Sequence, residues 1–236
     1  MLFPMSEDYS PMMAEERAKL LRTWHDHAYE NLRTSLPLRM SFMGLELHIS
    51  EDVFAPPGIE EGDPFHQTVL AEVRPSDRVL DMGTGSGVSA ILAAKVASDV
   101  VAVDINPKAI ECAKENAERN GVADRVTLAV GDVFDPVDGD FDLIIFDPPF
   151  RWFKPRDLLE VSTADENYRA LTKFMTQAKG RLRPGGRILL NFGTSGDIDY
   201  LYRLIDAAGF VKEVFPTGEA TRDGLTAYYY TIRLTV

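Results

Sequence analysis

From Asp77 onward, short apolar runs alternate with amphipathic stretches along the chain. Residues 78–82, 100–104, 126–130, 143–146 and 187–192 read as strands. The segments 86–97, 107–120, 164–182 and 198–208 between or after them carry helical spacing. The first four runs are almost continuously apolar, the pattern of strands covered on both faces of a parallel sheet. Such alternation implies right-handed crossovers and a doubly wound sheet with helices on both sides. After Gly209 the pattern changes to strand, loop and strand, at 210–215 and 226–235, with Gly218 and Gly224 between them. That spacing predicts an antiparallel hairpin with its last strand at or near the sheet edge, completing seven strands. Ahead of the alternating region, 14–33 predicts one amphipathic helix and 39–50 a hairpin turning near Gly44. A proline- and glycine-rich loop at 54–63 follows, then helical pattern over 65–73. The expected organisation is an extension over 1–64 and an α/β domain over 65–236.

Composition narrows the function classes. The 236 residues carry 37 acidic and 25 basic side chains, a net charge of −12, so the molecule as a whole should not adhere to phosphate backbones. A single cysteine, Cys112, excludes an internal disulfide and suggests a reducing compartment. The first eight residues lack a signal-peptide pattern, and no apolar run approaches the ~20 residues of a membrane helix. The expectation is a soluble cytoplasmic protein with no membrane partner.

The segment Val79-Leu-Asp-Met-Gly-Thr-Gly-Ser-Gly87 ends a strand and opens a helix. Ligands in open α/β sheets bind beyond the carboxyl ends of the strands, where strand order reverses. Gly83, Gly85 and Gly87 permit a tight turn and let a ligand lie against bare backbone, with Thr84 between them. Their spacing differs from the dinucleotide fingerprint. The carboxylate of Asp81, just before the loop, suits an ammonium or sulfonium better than a pyrophosphate. Asp104 ends the next strand, where an acidic side chain can accept both hydroxyls of a ribose. Ile105 follows with an apolar surface for an adenine, and Asp132 and Val133 come after the third strand at the same edge.

These motifs, in this order, resemble those of the class I S-adenosylmethionine-dependent methyltransferases, over residues 77–235. The resemblance implies a Rossmann-like fold and S-adenosyl-L-methionine as cofactor. It places the methionine moiety beside Asp81 and the glycine loop, ribose on Asp104, and adenine near Ile105, Asp132 and Val133.

The loop after the fourth strand, Asp147-Pro-Pro-Phe150, carries the acceptor chemistry. Pro148 and Pro149 stiffen the backbone and remove two N–H donors, leaving acceptors. The Asp147 carboxylate and a proline carbonyl can then face one amino group, with the Phe150 ring as a stacking surface. An amide or exocyclic amine nitrogen is a poor nucleophile because its lone pair is delocalised. Accepting hydrogen bonds from its N–H groups orients it for in-line transfer and stabilises developing positive charge. The segment resembles the (Asn/Asp)-Pro-Pro-(Tyr/Phe/Trp) motif of methyltransferases acting on planar nitrogens.

A second resemblance lies upstream. Phe42-Met-Gly-Leu, the following Pro56 and then Thr68 are similar to the hairpin and loop of release-factor glutamine methyltransferases. Here Asp147 and Phe150 stand where that family normally has Asn and Tyr, and the N-terminal part is shorter than its helical bundle. Past Phe150, Arg151, Lys154 and Arg156 interleave with Trp152 and Phe153, and 151–183 carries a local charge of +4. A basic, aromatic rim of this kind suits nucleic acid or an acidic protein surface. Pro56, His66, Thr68, Arg151 and Trp152 are the substrate candidates. His25 and His27, two apart on a helix, diverge and make no metal site. The reading that emerges is a metal-free N-methyltransferase acting on a nucleobase slightly ahead of a protein glutamine. A small-molecule amine enzyme or a non-catalytic cofactor-binding protein are the alternatives.

Overall fold

The computed structural model describes residues 9–56 and 62–236. The first eight residues and the centre of the 54–63 loop therefore lie outside the described residues.

Seven strands form one sheet: β3 (Arg78–Met82), β4 (Asp99–Asp104), β5 (Val126–Val130), β6 (Phe141–Phe146), β7 (Leu182–Gly193), β8 (Val211–Arg222) and β9 (Leu225–Thr235). Their spatial order is β5-β4-β3-β6-β7-β9-β8, with parallel pairing from β5 to β7 and β9 antiparallel to both of its neighbours. The order reverses between β3 and β6, and that crevice is where a ligand is expected. Val79, Leu80, Leu143, Ile144 and Ile145 are fully buried, as strands covered on both faces require. The covering helices are α2 (Pro64–Glu72), α3 (Val88–Ala94), α4 (Pro107–Arg119), α5 (Arg169–Gln177) and α6 (Ile198–Ala208). Ahead of them come α1 (Glu15–Ser35) and the separate hairpin β1 (Leu38–Phe42) and β2 (Leu45–Ile49). None of the described helices is long and apolar enough to cross a membrane.

The α/β class, the seven strands and the C-terminal hairpin follow the sequence pattern. Two elements depart from it. The expected helix over 164–182 is α-helical only at α5, with short 3-10 turns at Glu166–Tyr168 and Ala178–Arg181. The residues ahead of it are tied to the loop after β6: Asp165 N–H donates to the Arg151 carbonyl (2.7 Å) and Asn167 N–H to that of Trp152 (3.0 Å). Asn167 and Tyr168 adopt positive φ, and the Asp165 carboxylate accepts from the Ala170 and Leu171 amides (both 3.0 Å). Tertiary hydrogen bonds thus consume the groups that a longer helix would need. The C-terminal hairpin is also tighter than expected. It turns at Asp223-Gly224, both at positive φ, as a two-residue turn matching strand twist demands. Gly218 lies inside β8 beside an irregularity in register after Pro216.

Candidate active site

One cleft of about 820 Å³ opens where the sheet order reverses, and it gathers most of the residues singled out above. At one end the glycine loop folds over β4: Gly83 and Thr84 N–H both donate to the Val103 carbonyl (2.8 and 2.9 Å), and Gly85 N–H donates to Asp104 Oδ2 (2.8 Å). Asp104 Oδ1 accepts from the Asn106 amide (2.9 Å). Asp81 Oδ2 accepts from Thr84 Oγ1 (2.6 Å) and from the Ala90 amide (3.0 Å). Burial pushes the Asp81 carboxyl up to about 6, against those hydrogen bonds, and raises that of Asp104 as well. Ile105 is nearly half exposed on the cleft wall. Val133, also lining, sits at φ 55°, a conformation unusual for a β-branched residue. Asp132 lines the cleft too, and its Oδ2 is shared by Arg169 (3.2 Å) and Lys173 (3.1 Å).

At the other end, Asp147 leaves β6 with Oδ1 held by the Asn191 side-chain amide of β7 (3.0 Å). No hydrogen bond engages its Oδ2 among the described residues. Burial pushes the Asp147 carboxyl up to about 7, with His66 and Asn191 acting in the opposite direction. Pro148, Pro149 and Phe150 continue along the cleft wall. The Phe150 ring leans on Phe192 (centroids 5.2 Å) and Tyr229 (6.0 Å), and its carbonyl accepts from Tyr168 Oη (2.7 Å). Gly196 lets that carbonyl approach closely, since a Cβ there would collide with it.

His66, on α2, lines the cleft and is buried; its Nδ1 pairs with Asp63 Oδ2 (2.7 Å), and Asp63 also caps the helix by accepting from the His66 amide (3.0 Å). Pro56 lines the same wall. The roof comes from α1, through Trp24, His25 and Ala28. That helix is held by a buried cluster in which Glu160 Oε1 meets His25 Nε2 (2.7 Å) and Arg156 Nη2 (2.6 Å). The strands β1 and β2 do not line the cleft; only the segment after them, with Val53, Phe54 and Pro56, reaches it.

Three candidates fall outside the cleft. Gly87 packs against α4 instead, where an added Cβ would lie 3.0 Å from Ala113 Cα, and its φ of +91° caps α3. Thr68 turns its hydroxyl back to the Pro64 carbonyl within α2 (2.8 Å). Trp152 is buried among Tyr9, Phe153 and Tyr168, so it belongs to the core and not to a rim. Of the rim's charges, Arg156 pairs with Glu160 and Asp26, while Lys154 is exposed. Sequence reasoning missed Asn191, Asp63, Asp165 and Ser195. Asn191 had one visible signal, a polar residue near the end of an apolar strand; Ser195 and Asp63 lie in loops with none.

The sheet order, the glycine loop over β4 and the two carboxylates at successive strand ends define an S-adenosylmethionine-dependent methyltransferase class. The chain matches the model of the methyltransferase small domain over residues 44–201, and it belongs to that family. It is 33% identical over 186 residues to the release factor glutamine methyltransferase of Cereibacter sphaeroides, covering 72% of this chain and 64% of that protein. It is 34% identical over 189 residues to the ribosomal protein L11 methyltransferase of Pelotomaculum thermopropionicum, covering 77% of this chain and 50% of the relative. The chain therefore spans about half to two-thirds of the length of these relatives. Among solved structures, the tRNA m1G37 methyltransferase of M. jannaschii shares the fold at a TM-score of 0.60 and 22% identity, over 84% of this chain and 54% of that one.

The chemistry of the cleft fits the family's cofactor. Backbone without side chains at Gly83 and Gly85 leaves room beside Asp81, and Asp104 ends β4 next to an exposed apolar Ile105.

Proposed function

We propose that this protein transfers a methyl group from S-adenosyl-L-methionine to a planar amide or exocyclic amino nitrogen. In this reading Asp81, Gly83, Thr84 and Gly85 hold the methionine moiety and Asp104 the ribose, with Ile105, Asp132 and Val133 around the adenine. The cofactor supplies an electrophilic methyl on a sulfonium. The Asp147 carboxylate and the proline carbonyls would orient the nitrogen lone pair toward that methyl, and the proton released as the N–C bond replaces the S–C bond would pass to Asp147 or to water.

The observation that carries the proposal is the state of Asp147. Its Oδ1 is fixed by Asn191 while Oδ2 remains available, and it shares one cleft with Asp81 and Asp104. The adjoining prolines contribute carbonyls and no N–H, so this stretch of the wall accepts hydrogen bonds from an amino group. Phe150 supports a flat group beside it.

As for the acceptor, the cleft walls carry Asp63, Asp165, Glu166 and Glu219 as well as the cofactor-end carboxylates. That charge disfavours a polyphosphate backbone. With Trp152 in the core and Arg156 paired, the reading that retains support is a side-chain amide or small amine, ahead of a base in a polynucleotide. The relative named a release factor glutamine methyltransferase supports the amide.

The test is transfer of labelled methyl from S-adenosylmethionine into fractionated lysate, followed by protease or nuclease. Label removed by protease, or left in the small-molecule fraction, and absent with Asp147→Ala is the expected result. Label released by nuclease would move the acceptor to nucleic acid, and no labelling by the wild type in any fraction would end the proposal. Thermal shift with S-adenosylmethionine against NAD checks the cofactor separately; a ligand at 100 times its Kd stabilises by about 2.7 kcal/mol.

A further inference from the structure

Arg151 follows Phe150 directly and lines the same cleft, yet its side chain is 93% buried and forms no ion pair or hydrogen bond among the described residues. Its Nε is sealed from solvent without a partner. Burial pushes the guanidinium down to about 10, with Tyr229 and Tyr168 acting in the opposite direction, and its charge in turn adds to the burial that lowers the nearby His25. An unpaired buried guanidinium is costly, because lost hydration is not offset by a counter-charge. The backbone around it is anchored: the Arg151 carbonyl accepts from Asp165 N–H, Phe150's from Tyr168 Oη, and Trp152's from Asn167 N–H. Nearby on the lining, Ser195 Oγ is likewise buried and unpartnered, one residue from the Gly196 that packs on Phe150. Two unpartnered buried polar atoms, Arg151 Nε and Ser195 Oγ, thus belong to residues that line the cleft beside Phe150.

We infer that Arg151, assisted by Ser195, binds a carboxylate of the methyl acceptor, whose reactive nitrogen sits at Asp147. The inference rests on the methyltransferase reading above and narrows its substrate class to acceptors bearing both groups. Arg151 is four residues from Asp147, so their Cα atoms lie no more than about 14 Å apart even for extended chain. The planar, five-donor guanidinium matches a carboxylate with two parallel hydrogen bonds. A dianionic phosphate is less suited, since Asp165 and Glu219 share the walls.

The test uses benzoate and its neutral, nearly isosteric partner benzamide, added to the protein saturated with S-adenosylhomocysteine, with thermal shift and calorimetry as readouts. Wild type should bind benzoate more tightly than benzamide, and Arg151→Gln should lose that preference by about tenfold to a hundredfold. Arg151→Lys should fall between, keeping the charge without the fork. The ligand-free Tm of Arg151→Gln should not drop, because the substitution removes an uncompensated buried charge. Equal binding of benzoate and benzamide by wild type, or no binding of either, would overturn the inference even if the variant failed to fold. A shift with inorganic phosphate and none with benzoate would also overturn it, giving the site to phosphoryl groups. So would a variant that loses S-adenosylhomocysteine but keeps 5′-methylthioadenosine, since Arg151 would then serve the cofactor's own carboxylate. Failure of S-adenosylhomocysteine to bind wild type is a separate result, and it sinks the methyltransferase reading instead.

Discussion

The two ends of the cleft are built by different means. At the cofactor end, the side-chain hydrogen bonds of Asp81 run to Thr84 and Ala90, and those of Asp104 run to Gly85 and Asn106. These partners lie on or beside the same strand–loop–helix units. At the acceptor end, Asp147 is held by Asn191, 44 residues on, and Phe150 by Tyr168 and Gly196. The first end is a local backbone device that a short motif can encode. The second is assembled across the sheet from β6, β7, the segment before α5 and the roof helix α1, so its specificity can change without disturbing the cofactor.

That contrast can be broken most forcefully at Trp152. If it is core, as its contacts with Tyr9, Phe153 and Tyr168 indicate, Trp152→Ala costs about 3–5 kcal/mol of stability in denaturant titration. Weakened acceptor binding with unchanged stability would return it to the rim. Asp147→Ala should lower transfer about 10²–10³-fold while cofactor affinity stays within a few-fold, measured by kinetics and calorimetry in parallel. A matching loss of cofactor affinity would mean the two ends are not separable. Asp104→Ala should do the converse, weakening cofactor binding about tenfold to a hundredfold, because the carboxylate that accepts from Gly85 N–H and is proposed to hold the ribose is lost.

The pH dependence sharpens the same distinction. With the Asp147 carboxyl pushed up to about 7 by burial, transfer should rise with pH through that value, since the ionised form accepts the N–H bonds. Asp147→Asn should remove the limb. Stability runs in the opposite sense. A carboxyl with a higher pKa folded than unfolded binds more protons in the native state, so its contribution declines between about 4 and 7 as pH rises. Melting curves should therefore show wild type losing ground to Asp147→Asn toward neutral pH. The smallest expected effect is at Thr68, whose hydroxyl bonds within α2: Thr68→Val should change both transfer and stability little, within about 0.5 kcal/mol.

The legibility of the site follows the same division. The carboxylates of Asp81, Asp104 and Asp147 could be read off because each ends a buried apolar run, and parallel strands bring their carboxyl ends to one edge; the strand before Asp132 is apolar but lies half-covered at the sheet edge. Gly87 packs on α4, which the sequence could not show, because a glycine at a helix start looks the same whether a ligand or a helix approaches it. Arg151 and Trp152 read as a rim because alternating basic and aromatic residues on a loop have no periodicity to reveal which side chains turn inward.

By itself the sequence determined the α/β alternation and the carboxylates at the strand ends, since hydrophobic period and glycine spacing are local properties of the chain; the point where strand order reverses came from the sheet topology. Only the tertiary structure decided that 165–168 pins the acceptor loop instead of extending a helix, that Trp152 is core and Arg151 an unpaired buried cation. Those outcomes depend on which distant groups satisfy a backbone carbonyl or strip water from a charge, and neighbours along the chain do not fix either.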